Sequence, residues 1–156
     1  HLSDTSLDQA LDFFSGTVWA SHCNCRTLVP GERQLNDHQL KRLIERGGVI
    51  GAALDAWMLI PDWQRGLTTP QSSGVKLSHV ANHIDYVCQL AGNSKHACIG
   101  TDLDGGFGLE QSPGDMESIA DLQKLPSILG KRCYSTDDIH NVMGLNAINR
   151  LRSAWK

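Results

Sequence analysis

The chain has 156 residues, enough for one compact domain, and 40% of them are hydrophobic, so a core can form. Its formal net charge is −3 and no basic block stands out, which argues against a nucleic-acid or anionic-membrane surface. No apolar run reaches the roughly 18 residues of a membrane span, and the polar opening HLSDTSLDQA does not read as a signal peptide.

In chain order, Asp4 to Phe14 reads as a helix with Leu7, Ala10, Leu11 and Phe14 on one face, ended by Gly16. Thr17 to Ser21 (TVWAS) is a short apolar run, the pattern of a buried strand. Asn36 caps a predicted helix through Arg46, with Leu40, Leu43 and Ile44 as its stripe and Gly47-Gly48 as its stop. Val49 to Leu54 (VIGAAL) is a second buried strand. Asp55 to Lys76 is rich in Pro, Gly, Ser and Thr and is expected to be a long loop, a kind of segment that is often functional. Ser78 is expected to cap a helix through Ala91, with Val80, Ile84, Val87 and Cys88 inward. Ala97 to Thr101 (ACIGT) is a third buried strand, followed by the Gly-rich DLDGGFG. Ser118 to Leu125 is expected to be helical, with Pro126 breaking it. Ser135 with Asp138 has the spacing of a capping box, and a last helix runs around Leu145 to Arg152.

This alternation predicts βαβ units around a parallel sheet. The three strands are apolar throughout, so both faces want cover, and three are too few to close a barrel. The chain therefore reads as a piece of a larger α/β structure. Its five cysteines are odd in number and show no disulfide framework. Reduced thiols favour a cytoplasmic location.

In a parallel α/β barrel, chemistry sits at the C-terminal ends of the strands. The polar residues after the three apolar runs are His22, Asp55 and Asp102, with Asp104 two residues on. His1 stands just before the first helix, where a preceding strand would end. Two histidines and a carboxylate at successive strand ends are a donor set that zinc accepts.

Five segments carry a resemblance: HLSD at His1, ASHCNCRTLVPGERQL from Ala20, LIERGGVIGA from Leu43, VANHIDYVCQLAG from Val80 and IGTDLDGG from Ile99. In order and spacing the chain resembles the C-terminal part of the membrane (renal) dipeptidase family, zinc-dependent peptidases of the amidohydrolase type. The resemblance implies that residues 1–156 form the C-terminal half of a (β/α)8 TIM barrel, incomplete in this chain. It implies His1 and His22 as ligands of one zinc, Arg33 as the group that holds the substrate carboxylate, and Asp102 as the catalytic proton carrier. Asp104 and Gly105 share the Asp102 motif with a structural role. The implied cofactor is a pair of zinc ions sharing an activated water, other divalent metals remaining open, and the implied substrates are small dipeptides. The His-x-Asp pair and bridging glutamate of the family have no counterpart here, so the N-terminal half of the barrel is expected as a further part or partner. A homodimer is expected from the same resemblance. Asp55 to Trp63 (DAWMLIPDW) departs from the family's aromatic-rich pattern, which leaves specificity open. Hydrolysis of another amide, or a non-catalytic half-barrel, are the competing readings.

Other groups have plainer readings. His79 and His83 are four apart on a predicted helix, but HVANH lacks the glutamate of HExxH, so an ordinary helix surface is expected. Cys23 and Cys25 flank Asn24 beside His22, with no second Cys/His pair to complete a structural zinc clip. Trp57 and Trp63 either line a pocket or pack the long loop down.

Overall fold

The structure, a computed structural model, describes residues 1–155. Three strands, β1 (Trp19–Ala20), β2 (Val49–Ala52) and β3 (Ala97–Ile99), form a parallel sheet in the order β1-β2-β3. The register pairs Trp19 with Val49, Ile50 with Ala97 and Ala52 with Ile99. Among the described residues the α-helices are α1 (Asp4–Phe13), α2 (Asp37–Glu45), α3 (Pro70–Ser73), α4 (Leu77–Ala91), α5 (Leu125–Gly130), α6 (Thr136–His140) and α7 (Asn146–Ala154). The mixed α/β class and the parallel sheet agree with the sequence.

The sheet's two faces differ because side chains alternate along a strand. Ile50, Ala52 and Leu54 join the main core together with Leu40 and Leu43 of α2 and Leu77, Val80, Ala81, Ile84 and Val87 of α4. Leu40, Ile50, Leu54, Leu77 and Ile84 are fully buried. Each contributes about 1.5–3 kcal/mol by leaving water. A surface ion pair such as Arg42–Asp8 at 2.9 Å contributes about 0–1 kcal/mol, so the core over α2 and α4 fixes where the sheet lies. On the other face Gly51 and Gly100, which carry no side chain, alternate with Val49 and Cys98.

Local signals held where they were self-contained. Asn36 accepts from the Gln39 N–H while the Gln39 side chain accepts from the Asn36 N–H, a full capping box that starts α2. Ser135 and Asp138 do the same for α6. They failed where a partner lay far away. Ser78 lies inside α4 and does not cap it; the Leu77 N–H at its start is met by the Asp115 carboxylate at 2.8 Å. Pro126 opens a helix and does not break one. Residues 119–124 form a 3-10 turn, and Pro126 occupies the first turn of α5, where a missing N–H costs nothing. The expected loop from Asp55 to Lys76 contains a 3-10 turn at Ala56–Met58 and the short α3, capped by Thr69 and begun by Pro70. A four-residue helix is too short to show periodicity in sequence.

His83 corrects a further expectation. It is 2% exposed, facing the core and not the surface. Its Nδ1 accepts the Cys25 N–H at 3.1 Å, and the Leu59 backbone engages the ring as well. Burial holds its pKa down to about 4, with the charge of nearby His79 a minor contribution. His79 turns back on its own helix start, its Nδ1 accepting the Lys76 N–H.

The folded chain thus keeps the His83 ring neutral to about pH 4, whereas an unfolded chain takes up the proton near pH 6.5. Between those values the unfolded state binds more protons, so stability is complete above pH 6.5 and falls as the pH drops towards 4. Denaturant titrations across this window are expected to show a loss of at most about 3 kcal/mol. In His83→Asn, which keeps an acceptor for the Cys25 N–H, that loss disappears. An equal acid slope in both proteins would show that another group is responsible.

Candidate functional site

Because all three strands are parallel, their C-terminal ends share one edge of the sheet. His22 lies two residues beyond β1, Asp55 three residues beyond β2, and Asp102 three residues beyond β3. The Leu54 N–H still donates to the Thr101 carbonyl at 3.0 Å, so β2 and β3 run together almost to the two carboxylates.

The structure brings His1, His22 and Arg33 into one cavity of about 380 Å³ between α1, β1 and the loop of residues 31–35. His1 Nε2 and His22 Nε2 are 3.1 Å apart, with ring centroids at 5.2 Å and planes tilted by 52°. The second ring nitrogen of His22, Nδ1, lies 2.8 Å from Ser21 Oγ. Arg33 donates from Nη2 to the His22 carbonyl at 3.0 Å and from Nη1 to Cys23 Sγ at 3.4 Å. Its guanidinium is therefore fixed beside the histidines with donors to spare.

His1 reaches this point because the start of α1 is clasped. Arg26 grips the Asp4 carboxylate with two bonds of 2.7 Å, and Gln39 adds a third at 3.1 Å. Arg26, then Gln39, hold the Asp4 pKa down to about 2. The same arginine also donates to the Gln34 carbonyl. One side chain thus ties the helix behind His1 to the loop that carries Arg33. Sequence reasoning missed this clasp, since residues 4, 26 and 39 share no periodic pattern.

Asp102 does not line the cavity of the histidines. It adopts the left-handed region, with φ +60°, and its carbonyl accepts the Gly105 N–H at 2.8 Å. A Cβ at residue 105 would lie 2.8 Å from both the carbonyl and a carboxylate oxygen of Asp102. Glycine at 105 is what allows this tight turn, which explains the first part of the DLDGG motif. Among the described residues no ion pair involves Asp102.

Asp55, the remaining strand-end carboxylate, is a tie. It is 5% exposed, and its oxygens accept Trp57 Nε1 at 2.6 Å and Gln111 Nε2 at 2.8 Å, with Arg65 at 3.6 Å. Desolvation raises its pKa, opposed by those hydrogen bonds and by Arg65. Arg65 also stands over the Trp57 ring, 5.2 Å from its centroid. The carboxylate so joins the loop after β2 to the loop after β3. This resolves both tryptophans: Trp57 anchors its loop through the indole N–H, while Trp63 packs against the core. Cys25 is fully buried, its thiol donating to the His83 carbonyl at 3.7 Å, and burial pushes it up to about 12. It points away from His22 chemistry.

Among the described residues no group of three or more His, Cys, Asp or Glu is close enough to hold a metal. Two imidazoles with converging Nε2 atoms can supply part of a site.

Comparison with known proteins bears on the family and the fold. The model of the membrane dipeptidase family (peptidase family M19) matches residues 1–155. Dipeptidase tcpJ of Claviceps purpurea is 28% identical over 155 residues, covering 97% of this chain and 33% of the relative. An uncharacterized dipeptidase of Schizosaccharomyces pombe is 30% identical over 160 residues, covering 100% of this chain and 34% of its own length. A protein from the pqqA 5′ region of Klebsiella pneumoniae is 26% identical, and 54% of it is covered. The chain thus spans about a third to a half of the length of the relatives it matches. Among solved structures, dipeptidase AC, a metallopeptidase of family M19, superposes with a TM-score of 0.83 at 21% identity, over 99% of this chain and 43% of the other. A metallopeptidase from Rhodobacter sphaeroides, bound to a phosphinate mimic of L-Ala-D-Ala, gives 0.81 at 20% identity, over 99% and 41%. At these identities the superpositions bear on the fold alone.

Asp55→Ala, which removes the acceptor for both Trp57 and Gln111, is expected to destabilise the chain by about 1–3 kcal/mol. It should also speed tryptic cleavage at Arg65, with Asp55→Asn intermediate. Cleavage at Arg65 unchanged in Asp55→Ala would mean the loop is held by its other contacts.

Proposed function

The chain belongs to the membrane dipeptidase family, peptidase family M19, and from that membership we propose that residues 1–156 are the C-terminal part of a (β/α)8 barrel that hydrolyses small dipeptides with zinc as its metal. The observation that carries this reading is the meeting of His1 and His22 Nε2 at 3.1 Å, on the edge where a parallel sheet presents its strand ends. Zinc–nitrogen bonds of about 2.0–2.1 Å place two tetrahedrally arranged imidazole nitrogens about 3.3 Å apart, so the pair fits one ion. Two imidazoles are one short of the usual three protein ligands. The remaining donors are assigned to the part of the barrel outside these residues, in keeping with the 33% to 54% of its relatives that the chain covers.

Bound zinc would supply an activated water and a Lewis acid at the scissile carbonyl. The chain's own residues do the rest. His1 and His22 would hold the metal through Nε2. Arg33 commits two donors to the His22 carbonyl and Cys23 Sγ, which orients its other donors towards a peptide carboxylate. The planar fork suits that group better than a lysine ammonium. Pairing there selects substrates whose free carboxylate lies one residue from the cleaved bond. Asp102, held at the third strand end by its own turn, takes the proton of the attacking water and returns it to the leaving amine.

The test is hydrolysis of a dipeptide panel by the whole protein, with added zinc and with a chelator. Zinc-dependent cleavage is expected. Asp102→Asn should lower kcat by about 10²–10⁴-fold with zinc content unchanged. Arg33→Ala should raise KM by about 10–100-fold with a smaller change in kcat. A zinc-loaded whole barrel that cleaves no dipeptide but hydrolyses a cyclic or acylated amide would overturn the dipeptidase reading.

A further inference from the structure

We propose that Ser21 is the positioning residue of His22, and that Gly51 and Gly100 form the seat that fixes Ser21. The inference rests on the reading of His22 as a metal ligand and adds the device that aims it.

Just after β1 ends at Ala20, Ser21 turns in over β2 and the end of β3. Its carbonyl lies so close to the second and third strands that a Cβ on Gly51 would come within 2.1 Å of it, and one on Gly100 within 1.8 Å. Neither distance is possible for real atoms, so any side chain at either position would push the Ser21 backbone away. The Cys23 N–H then donates to the Gly51 carbonyl at 2.8 Å, which holds the far side of the same crossing. Residues 21–23 are thus pressed over Gly51 of β2 and Gly100 just past β3 and clamped there, with His22 between the two contacts.

The hydroxyl completes the arrangement. Ser21 Oγ stands 2.8 Å from His22 Nδ1, and His22 Nε2 faces His1 Nε2 at 3.1 Å. A neutral imidazole carries one N–H, and the partner of one nitrogen decides what the other can do. With the hydroxyl accepting from Nδ1–H, the Nε2 lone pair points to His1 and the cavity. That is the tautomer able to bind a metal, and outer partners of this kind commonly raise metal affinity 10–100-fold. Without the hydroxyl the ring can take its proton on Nε2, which blocks the ligand nitrogen.

The experiment follows the His22 ring nitrogens by long-range ¹H–¹⁵N correlation in the whole protein labelled on histidine, free of metal, with His22→Gln used to assign the signals. Zinc affinity is read beside it by competition with a chromophoric chelator. The wild type is expected to be protonated on Nδ1. Ser21→Ala should shift the population towards Nε2–H and weaken zinc binding by about 10–100-fold, and Ser21→Thr, which keeps the hydroxyl, should restore both. Gly100→Ala should reproduce the Ser21→Ala signature if it folds; the serine pair decides the question if it does not. Nε2–H in the wild type, or ring signals and zinc affinity untouched in Ser21→Ala, would overturn the proposal. If the tautomer changes as expected but the wild type binds no zinc, the positioning role stands and the ligand reading of His22 fails.

Discussion

Two absent side chains, at Gly51 and Gly100, set the path of the chain at the strand-end edge of this sheet. They let the Ser21 carbonyl lie over β2 and the residue that follows β3 at a distance no Cβ would permit, and this path carries His22 over the strand ends. Everything else at the site is arranged around that fixed point. The Arg33 guanidinium docks on the His22 carbonyl, and the Asp4–Arg26–Gln39 clasp brings the start of α1, with His1 just ahead of it, against the same ring. Backbone sterics set the position, and hydrogen bonds then refine it.

The loops above the sheet are tied by buried polar groups as well as by apolar contact. Asn24 is fully buried and pairs both ways with Ala53, accepting its N–H and donating to its carbonyl. It also donates to the Met58 carbonyl, as Gln34 does. His83 takes the Cys25 N–H from the other side. Removing one partner of such a pair leaves a buried group unsatisfied at a cost of about 1–3 kcal/mol, so these contacts impose one geometry on the segment from Ser21 to Leu35. That rigidity suits a site that must hold its groups to fractions of an ångström.

Asp55 and Asp102 illustrate how two residues with the same sequence signature diverge. Each is a carboxylate placed just after an apolar strand. Asp55 is buried and its oxygens are taken by Trp57 and Gln111. Asp102 sits in a left-handed turn that glycine at 105 makes room for, and forms no ion pair among the described residues. The difference arises from loops more than 50 residues apart meeting above the sheet, which no local pattern announces.

The sequence by itself determined the class of structure, the three strands, the helices with self-contained caps at Asn36 and Ser135, and the family, because these depend on periodicity, neighbouring residues or an ordered set of motifs. It also marked His1, His22, Arg33 and Asp102 through that resemblance. Tertiary structure decided what depends on partners distant in the chain: the capping of α4 by Asp115, the burial of His83, the tie at Asp55, the clasp on Asp4 and the seat under Ser21. The physical reason is the same in each case. A hydrogen bond or a steric limit between residues far apart in sequence has no period and no fixed spacing, and exists only once the core has brought the segments together.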